Sequence, residues 1–281
     1  MGTEIWMAVL VVAGVGLICG IVIAVASCLM GVREDEKSKA LRDCLPGANC
    51  GACGYTGCDG YAKALSLGEC TKTNLCVPGA DATAVKIAAI LGVAAEDVVE
   101  KVAVIACNGS CGVTEKKQNY EGMASCAASK LLFGGNGACT YGCLGYGDCA
   151  KVCPNGAICL ADGVARIDSR VCIGCGLCAT ACPNHLIHLV PDVKQTVVLC
   201  SNKEKGAVAR KKCKNACIAC KKCENTCPNG AIHVVDNVAV IDTEKCSDCG
   251  LCSTVCPVGC IRQSDLRSAN HPSVGGNNTE K

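Results

Sequence analysis

The sequence predicts an α+β chain with one long apolar helix, a small cysteine domain and two tandem copies of a small cysteine-bound module. Three observations carry this. A run of 28 residues from Ile5 to Val32 has no charge. The chain has 31 cysteines in 281 residues, most of them two or three positions apart. A shift of 74 residues lays one cysteine-rich stretch on another without gaps. So few aromatics (one Phe, one Trp, five Tyr) do not build one large ordinary core. Small modules organised around bound metal need fewer, because metal binding supplies folding free energy that burial cannot. A disulfide scaffold fits poorly, since the count is odd and the runs are tight.

The apolar run exceeds the roughly 20 residues a helix needs to cross a bilayer, so residues 1–32 are read as an anchor. Only Glu4 precedes it, whereas Arg33, Lys37, Lys39 and Arg42 follow. The positive-inside rule then puts the bulk of the chain on the cytoplasmic side. A signal peptide would need a basic start. Val25-Ala26-Ser27-Cys28 resembles a lipoprotein cleavage site, but cleavage there would export a thiol-rich body into an oxidising compartment. Gly16, Gly20, Ala24 and Cys28 form a small-residue face of the kind that lets membrane helices approach closely.

Residues 33–100 hold the first metal motif, Cys50, Cys53, Cys58 and Cys76, spaced C-x2-C-x4-C-x17-C. Interleaved glycines let the backbone wrap a cubane and point N–H groups at its sulfurs. Zinc accepts four thiolates too, but this glycine-rich spacing is not that of a finger or ribbon. Cys44 and Cys70 are left over as structural thiols.

Beyond them, Cys172-x2-Cys175-x2-Cys178-x3-Cys182-Pro183 matches the run of bacterial ferredoxins, as do the runs Cys217–Pro228 and Cys246–Pro257. In two-cluster ferredoxins three cysteines of a run bind one cubane and the fourth binds the other. The 74-residue shift places Cys149, Cys153 and Cys172 on Cys223, Cys227 and Cys246. Asp162-Gly163 and Asp236-Asn237 sit between strand-like segments as hairpin turns. The fold class is therefore α+β: an N-terminal transmembrane helix, a small four-iron domain, then two bacterial-type two-cluster ferredoxin modules (139–199 and 200–262). The expected quartets are Cys153, Cys172, Cys175, Cys178; Cys217, Cys220, Cys223, Cys256; and Cys227, Cys246, Cys249, Cys252. Tyr146 stands where the second module has Cys220, so the remaining quartet is expected to be Cys139, Cys143, Cys149 and Cys182. With the first motif this makes five [4Fe–4S] clusters.

A sixth is a candidate in residues 101–138. A buried strand runs into Cys107 and Cys111, with Cys126 following, and Cys200 or Cys213 would complete the set. The plainer reading is scattered structural thiols. His185, His188, His233 and His271 are read as structural or solvent-facing, and residues 263–281 as a disordered tail. No nucleotide-binding loop or catalytic triad is present, so no catalytic residue is assigned. Between Lys203 and Lys222 eight Lys or Arg residues face a single Glu204, which is either a solvated loop or a docking patch for an acidic electron carrier.

The membrane helix, the Leu45-Pro46-Gly47…Cys76 motif and the ferredoxin cysteines together resemble the B subunit of the Rnf complex over residues 1–262. The second ferredoxin and the Cys107 region resemble the long form of anaerobes such as clostridia and acetogens. The resemblance implies an electron-transfer component of a membrane translocase that moves electrons from reduced ferredoxin to NAD⁺ and exports Na⁺ or H⁺. It also implies partner subunits that bind flavin and NAD, contact with membrane lipid, and no nucleic-acid partner. The competing expectation is a polyferredoxin serving another membrane oxidoreductase or a redox regulator, without ion pumping.

Overall fold

In a computed structural model of the chain, residues 2–30 and 35–266 are described. Arg33, His271, the side chain of Cys28 and the tail from 267 onward lie outside them. Helix α1 (Gly2–Met30) is continuous over 29 residues. At 1.5 Å per residue that is about 43 Å, against a hydrocarbon core of about 30 Å. Its Val, Leu and Ile side chains between Val9 and Val25 are half or more exposed. Nothing lies within 4 Å of a Cβ built on Gly16 or Gly20, so the small-residue face is bare. Among the described residues this is the one helix long and apolar enough to cross a membrane.

The first cysteine domain packs α2 (Glu36–Cys44), α3 (Cys58–Ser66) and α4 (Ala80–Leu91) together. Asp35 starts α2 by accepting from the Lys37 amide. Gly92 ends α4 in the left-handed conformation. Leu41, Tyr61, Leu65 and Ile87 are sealed from solvent between the helices. The Tyr61 hydroxyl, buried with them, donates to the Lys72 carbonyl at 2.7 Å.

The rest of the chain runs β1 (Lys101–Ile105), α5 (Cys126–Leu131), α6 (Asp148–Lys151), β2 (Ile158–Ala161), β3 (Val164–Ile167), α7 (Leu177–Ala181) and β4 (Ile187–Pro191). There follow β5 (Thr196–Val198), α8 (Gly206–Lys212), α9 (Lys222–Thr226), β6 (Ile232–Val235), β7 (Val238–Ile241), α10 (Leu251–Thr254) and β8 (Ile261–Gln263). Strands β2–β3 and β6–β7 form the two hairpins expected at Asp162-Gly163 and Asp236-Asn237. Both central residues of each turn have positive φ, as a two-residue hairpin that matches strand twist requires.

The other two sheets join distant segments. Strand β1 pairs antiparallel with β4 (Val102 opposite Val190), and β5 pairs with β8 (Val197 opposite Arg262). Three boundaries read from the sequence therefore move, the first because β5, in the stretch read as the end of the first module, opens the second by pairing with β8. The strand opening the 101–138 segment is closed into the first ferredoxin module by β4. At the other end Gln263 completes β8 and Leu266 is buried, so chain read as the start of a tail is packed. The first core gathers Val102, Val164, Leu186 and Ile187, and the second Ile232, Ala239, Cys260 and Ile261.

Candidate metal centres

Five recesses, each with between about 310 and 470 Å³ of free space partly open to solvent, are walled by cysteine thiols. One holds Cys153, Cys172, Cys175 and Cys178. A second holds Cys227, Cys246, Cys249 and Cys252. A third brings Cys217, Cys220 and Cys223 to Cys256 from the far run. These are the groupings expected from the spacing. In the amino-terminal domain burial, with neighbouring Cys58, Cys50 and Cys53 adding to it, pushes Cys76 up to about 11.

Two groupings differ from expectation. Cys143, Cys149 and Cys182 are joined by Cys126, at the start of α5, and not by Cys139. Tyr146 cannot supply a thiol, and its hydroxyl instead accepts from Asn136 Nδ2 at 2.9 Å. The long segment after β1 folds back and delivers Cys126 in its place. Ser125 caps α5, and the Asp148 carboxylate accepts from Ser125 Oγ and the Ala127 amide, tying α5 to the start of α6.

Cys139 turns the other way, into a recess with Cys107, Cys200 and Cys213. Cys126 is therefore not a partner of Cys107, and Cys111 is not either. Cys111 is exposed, and its sulfur lies 2.6 Å from where a Cβ on Gly163 would stand. Cys200 and Cys213, weighed as alternatives, come to the same recess.

This fourfold set has internal symmetry. Cys139 and Cys213 correspond under the 74-residue shift. Cys107 and Cys200 each follow the first strand of their module by two residues. The Cys143 amide donates to Cys107 Sγ at 3.3 Å, and its duplicate, the Cys217 amide, donates to Cys200 Sγ at 3.3 Å. The sequence held both halves of this signal. What it lacked was the pairing of β1 with β4, which puts Cys107 where Cys200 stands.

The residues fit a multinuclear thiolate-bound group. Among the described residues no three Cys, His, Asp or Glu side chains converge as one bare metal ion would need; the thiols stand around voids. Every described cysteine is a free thiol. Burial pushes Cys178 up to about 12 and Cys107 and Cys149 to about 11, and neighbouring cysteines add to the rise. Four thiolates cannot gather in such a site without cationic metal to neutralise them. Backbone amides already point at the sulfurs: Ala157 to Cys153, Leu186 to Cys182, Ala231 to Cys227 and Asp248 to Cys246, all at 3.3–3.4 Å. The Asn202 amide, buried, donates to Cys139 at 3.4 Å.

Of the basic stretch, Lys203 pairs with Asp236, Lys212 with Glu204 and Lys221 with Glu224. Arg210 and Lys211 are exposed at the end of α8, and the thiol of Cys220 is also exposed. His233 stands 3.5 Å from Glu224.

Comparison with known proteins agrees with this geometry. Residues 45–78 match the FeS family, described as an Fe-S cluster. Residues 165–188 match a 4Fe-4S binding domain, and 216–260 a 4Fe-4S dicluster domain. The chain is 42% identical over 244 residues to the B subunit of the proton-translocating ferredoxin:NAD(+) oxidoreductase complex of Clostridium ljungdahlii, covering 86% of each chain. It is 40% identical over 259 residues to the Na(+)-translocating counterpart of Acetobacterium woodii, covering 90% of this chain and 78% of that one. The B subunit of an ion-translocating oxidoreductase complex of Methanosarcina acetivorans is 34% identical over 251 residues, covering 89% of this chain and 95% of the relative.

Proposed function

We propose a function from one premise: this chain belongs to the family of B subunits of ion-translocating ferredoxin:NAD(+) oxidoreductase complexes. It is the iron–sulfur electron-transfer component of such a complex, held by one apolar helix long enough to span a bilayer. We assign it six [4Fe–4S] clusters, reduced ferredoxin as donor, and a cytoplasmic position for the bulk of the chain. Flavin and NAD sites belong on other subunits.

The observation that carries the reading is the contiguity of six cysteine quartets. Val77, next to Cys76, lies 3.0 Å from where a Cβ on Gly174, next to Cys175, would stand, so the amino-terminal domain abuts the first module. That module's two quartets are joined through its core. The Cys143–Cys107 and Cys217–Cys200 contacts then tie both modules to the shared quartet of Cys107, Cys139, Cys200 and Cys213. When bound, a [4Fe–4S] cluster supplies reversible one-electron carriage, which is what a row of such sites is suited to.

The residues do the rest. Cysteine thiolates hold the metal, backbone amides and Asn202 Nδ2 donate to the sulfurs, and hydrophobic cores keep water out. Arg210 and Lys211 on α8, with Lys221 and Lys222 next to Cys220, offer an acidic donor a landing surface. No proton-transfer residue is needed.

The test is anaerobic purification of the full chain in detergent, followed by iron analysis and mixing with reduced ferredoxin. The expected result is about 24 irons per chain, four per cubane, with visible absorbance that bleaches quickly and more slowly in salt. Clusters that bleach with a chemical reductant but not with ferredoxin would remove ferredoxin as donor and favour a polyferredoxin serving another enzyme.

A further inference from the structure

Cys260 is the one thiol lining the five recesses that none of the proposed quartets uses. It is 1% exposed. Its sulfur lies 3.6 Å from that of Cys256, and Cys217 lines the same recess. It therefore touches one ligand of a quartet and shares the recess with a second, which comes from the opposite end of the module.

The first module shows what the position needs structurally. Under the 74-residue shift Cys260 falls on Leu186. The backbones are equivalent: the Ala106 amide donates to the Leu186 carbonyl, and the Leu199 amide to the Cys260 carbonyl, both at 2.7 Å. Leu186 is as buried as Cys260. The fold thus asks only for a buried apolar side chain here, and the second module places an S–H dipole among its ligands.

We propose that Cys260 is a positioning residue whose S–H donates to the Cys256 sulfur and raises the reduction potential of the cluster that ligand helps to hold. This rests on the ligand assignment made above. A sulfur ligand carries more negative charge when its cluster is reduced, so a donor beside it favours the reduced form. Reduction adds one electron from the cluster's redox partner. The proton stays on Cys260, and no bond is made or broken.

The test compares the full chain with its Cys260→Ala and Cys260→Ser variants by iron and acid-labile sulfide content and by a reductive titration followed by EPR. In Cys260→Ala the iron content is expected to hold while one component, about one sixth of the signal given six four-iron clusters, moves to lower potential. Cys260→Ser, which keeps a donor, is expected to titrate near the parent. An unmoved alanine variant with full iron would overturn the proposal, as would a serine variant that shifts as far as alanine. Loss of about four irons in the alanine variant would overturn it by making Cys260 a metal ligand. A parent chain without iron would instead sink the assignment on which the proposal stands.

Discussion

The two ferredoxin modules keep the same scaffold and obtain their ligands differently. Each has one local hairpin and one pair formed by its first and last strands. In the second, Cys217, Cys220, Cys223 and Cys256 all come from the two runs. In the first, Tyr146 replaces the middle thiol and Cys126 comes from a helix 20 residues upstream. The difference teaches that strand pairing, more than local spacing, decides which thiols meet. Once β1 is held against β4, the segment between Cys107 and Cys139 can reach two recesses at once.

The strongest way to break the comparison is to remove cysteines in pairs. If Cys107 and Cys139 share one site, the double variant Cys107→Ala/Cys139→Ala loses about four irons, one cubane's worth. Cys126→Ala/Cys139→Ala touches two sites and loses about eight, two cubanes' worth. The grouping expected from spacing alone does not separate the two variants, because there Cys139 belongs to one site and both Cys107 and Cys126 to another. Cys111→Ala should change iron content not at all. Iron and sulfide analysis of purified chains decides among these.

That contrast also marks how far the sequence could be read. The apolar helix, the amino-terminal motif, the three runs and the hairpins at Asp162-Gly163 and Asp236-Asn237 rest on local spacing, and the structure forms the helix over Gly2–Met30 and closes both hairpins. Long-range pairing is not local. A five-residue strand such as β1 has many apolar partners to choose from, and only β4 places Cys107 beside the Cys143 amide. The tail boundary moved for the same reason, since Gln263 is fixed by Thr196 across the sheet.

A smaller effect sharpens the contrast between the modules' outer surfaces. The exposed cations Arg210 and Lys211 belong to the second module's approach, and position 137, which the repeat sets opposite Lys211, is glycine. Arg210→Glu/Lys211→Glu is expected to slow reduction by ferredoxin by about tenfold at low ionic strength, as lost steering does. Parent and variant rates should converge near 1 M salt, where the screening length is about 3 Å. Stopped-flow bleaching measures both. A variant with the parent's rate and salt dependence would leave the patch as solvated surface.

The finest difference lies at one repeat position, Gly174 in the first module and Asp248 in the second. Both have positive φ, +65° and +59°. At Asp248 the carboxylate turns back and accepts from the Gln195 and Thr196 amides at 2.9 and 2.8 Å, fixing the start of β5. At Gly174 the backbone closes on β1, and a Cβ would collide with the Lys101 carbonyl oxygen. The two solutions should not be interchangeable. Asp248→Gly removes two charge-assisted bonds worth about 1.5–3 kcal/mol each and regains about 1 kcal/mol of left-handed backbone cost. A net loss of about 2–5 kcal/mol should appear as faster hydrogen exchange at the Gln195 and Thr196 amides. Gly174→Asp must push β1 off its seat, so exchange should accelerate along Lys101–Ile105. If that strand stays protected, the close approach at Gly174 is not what holds the first module shut.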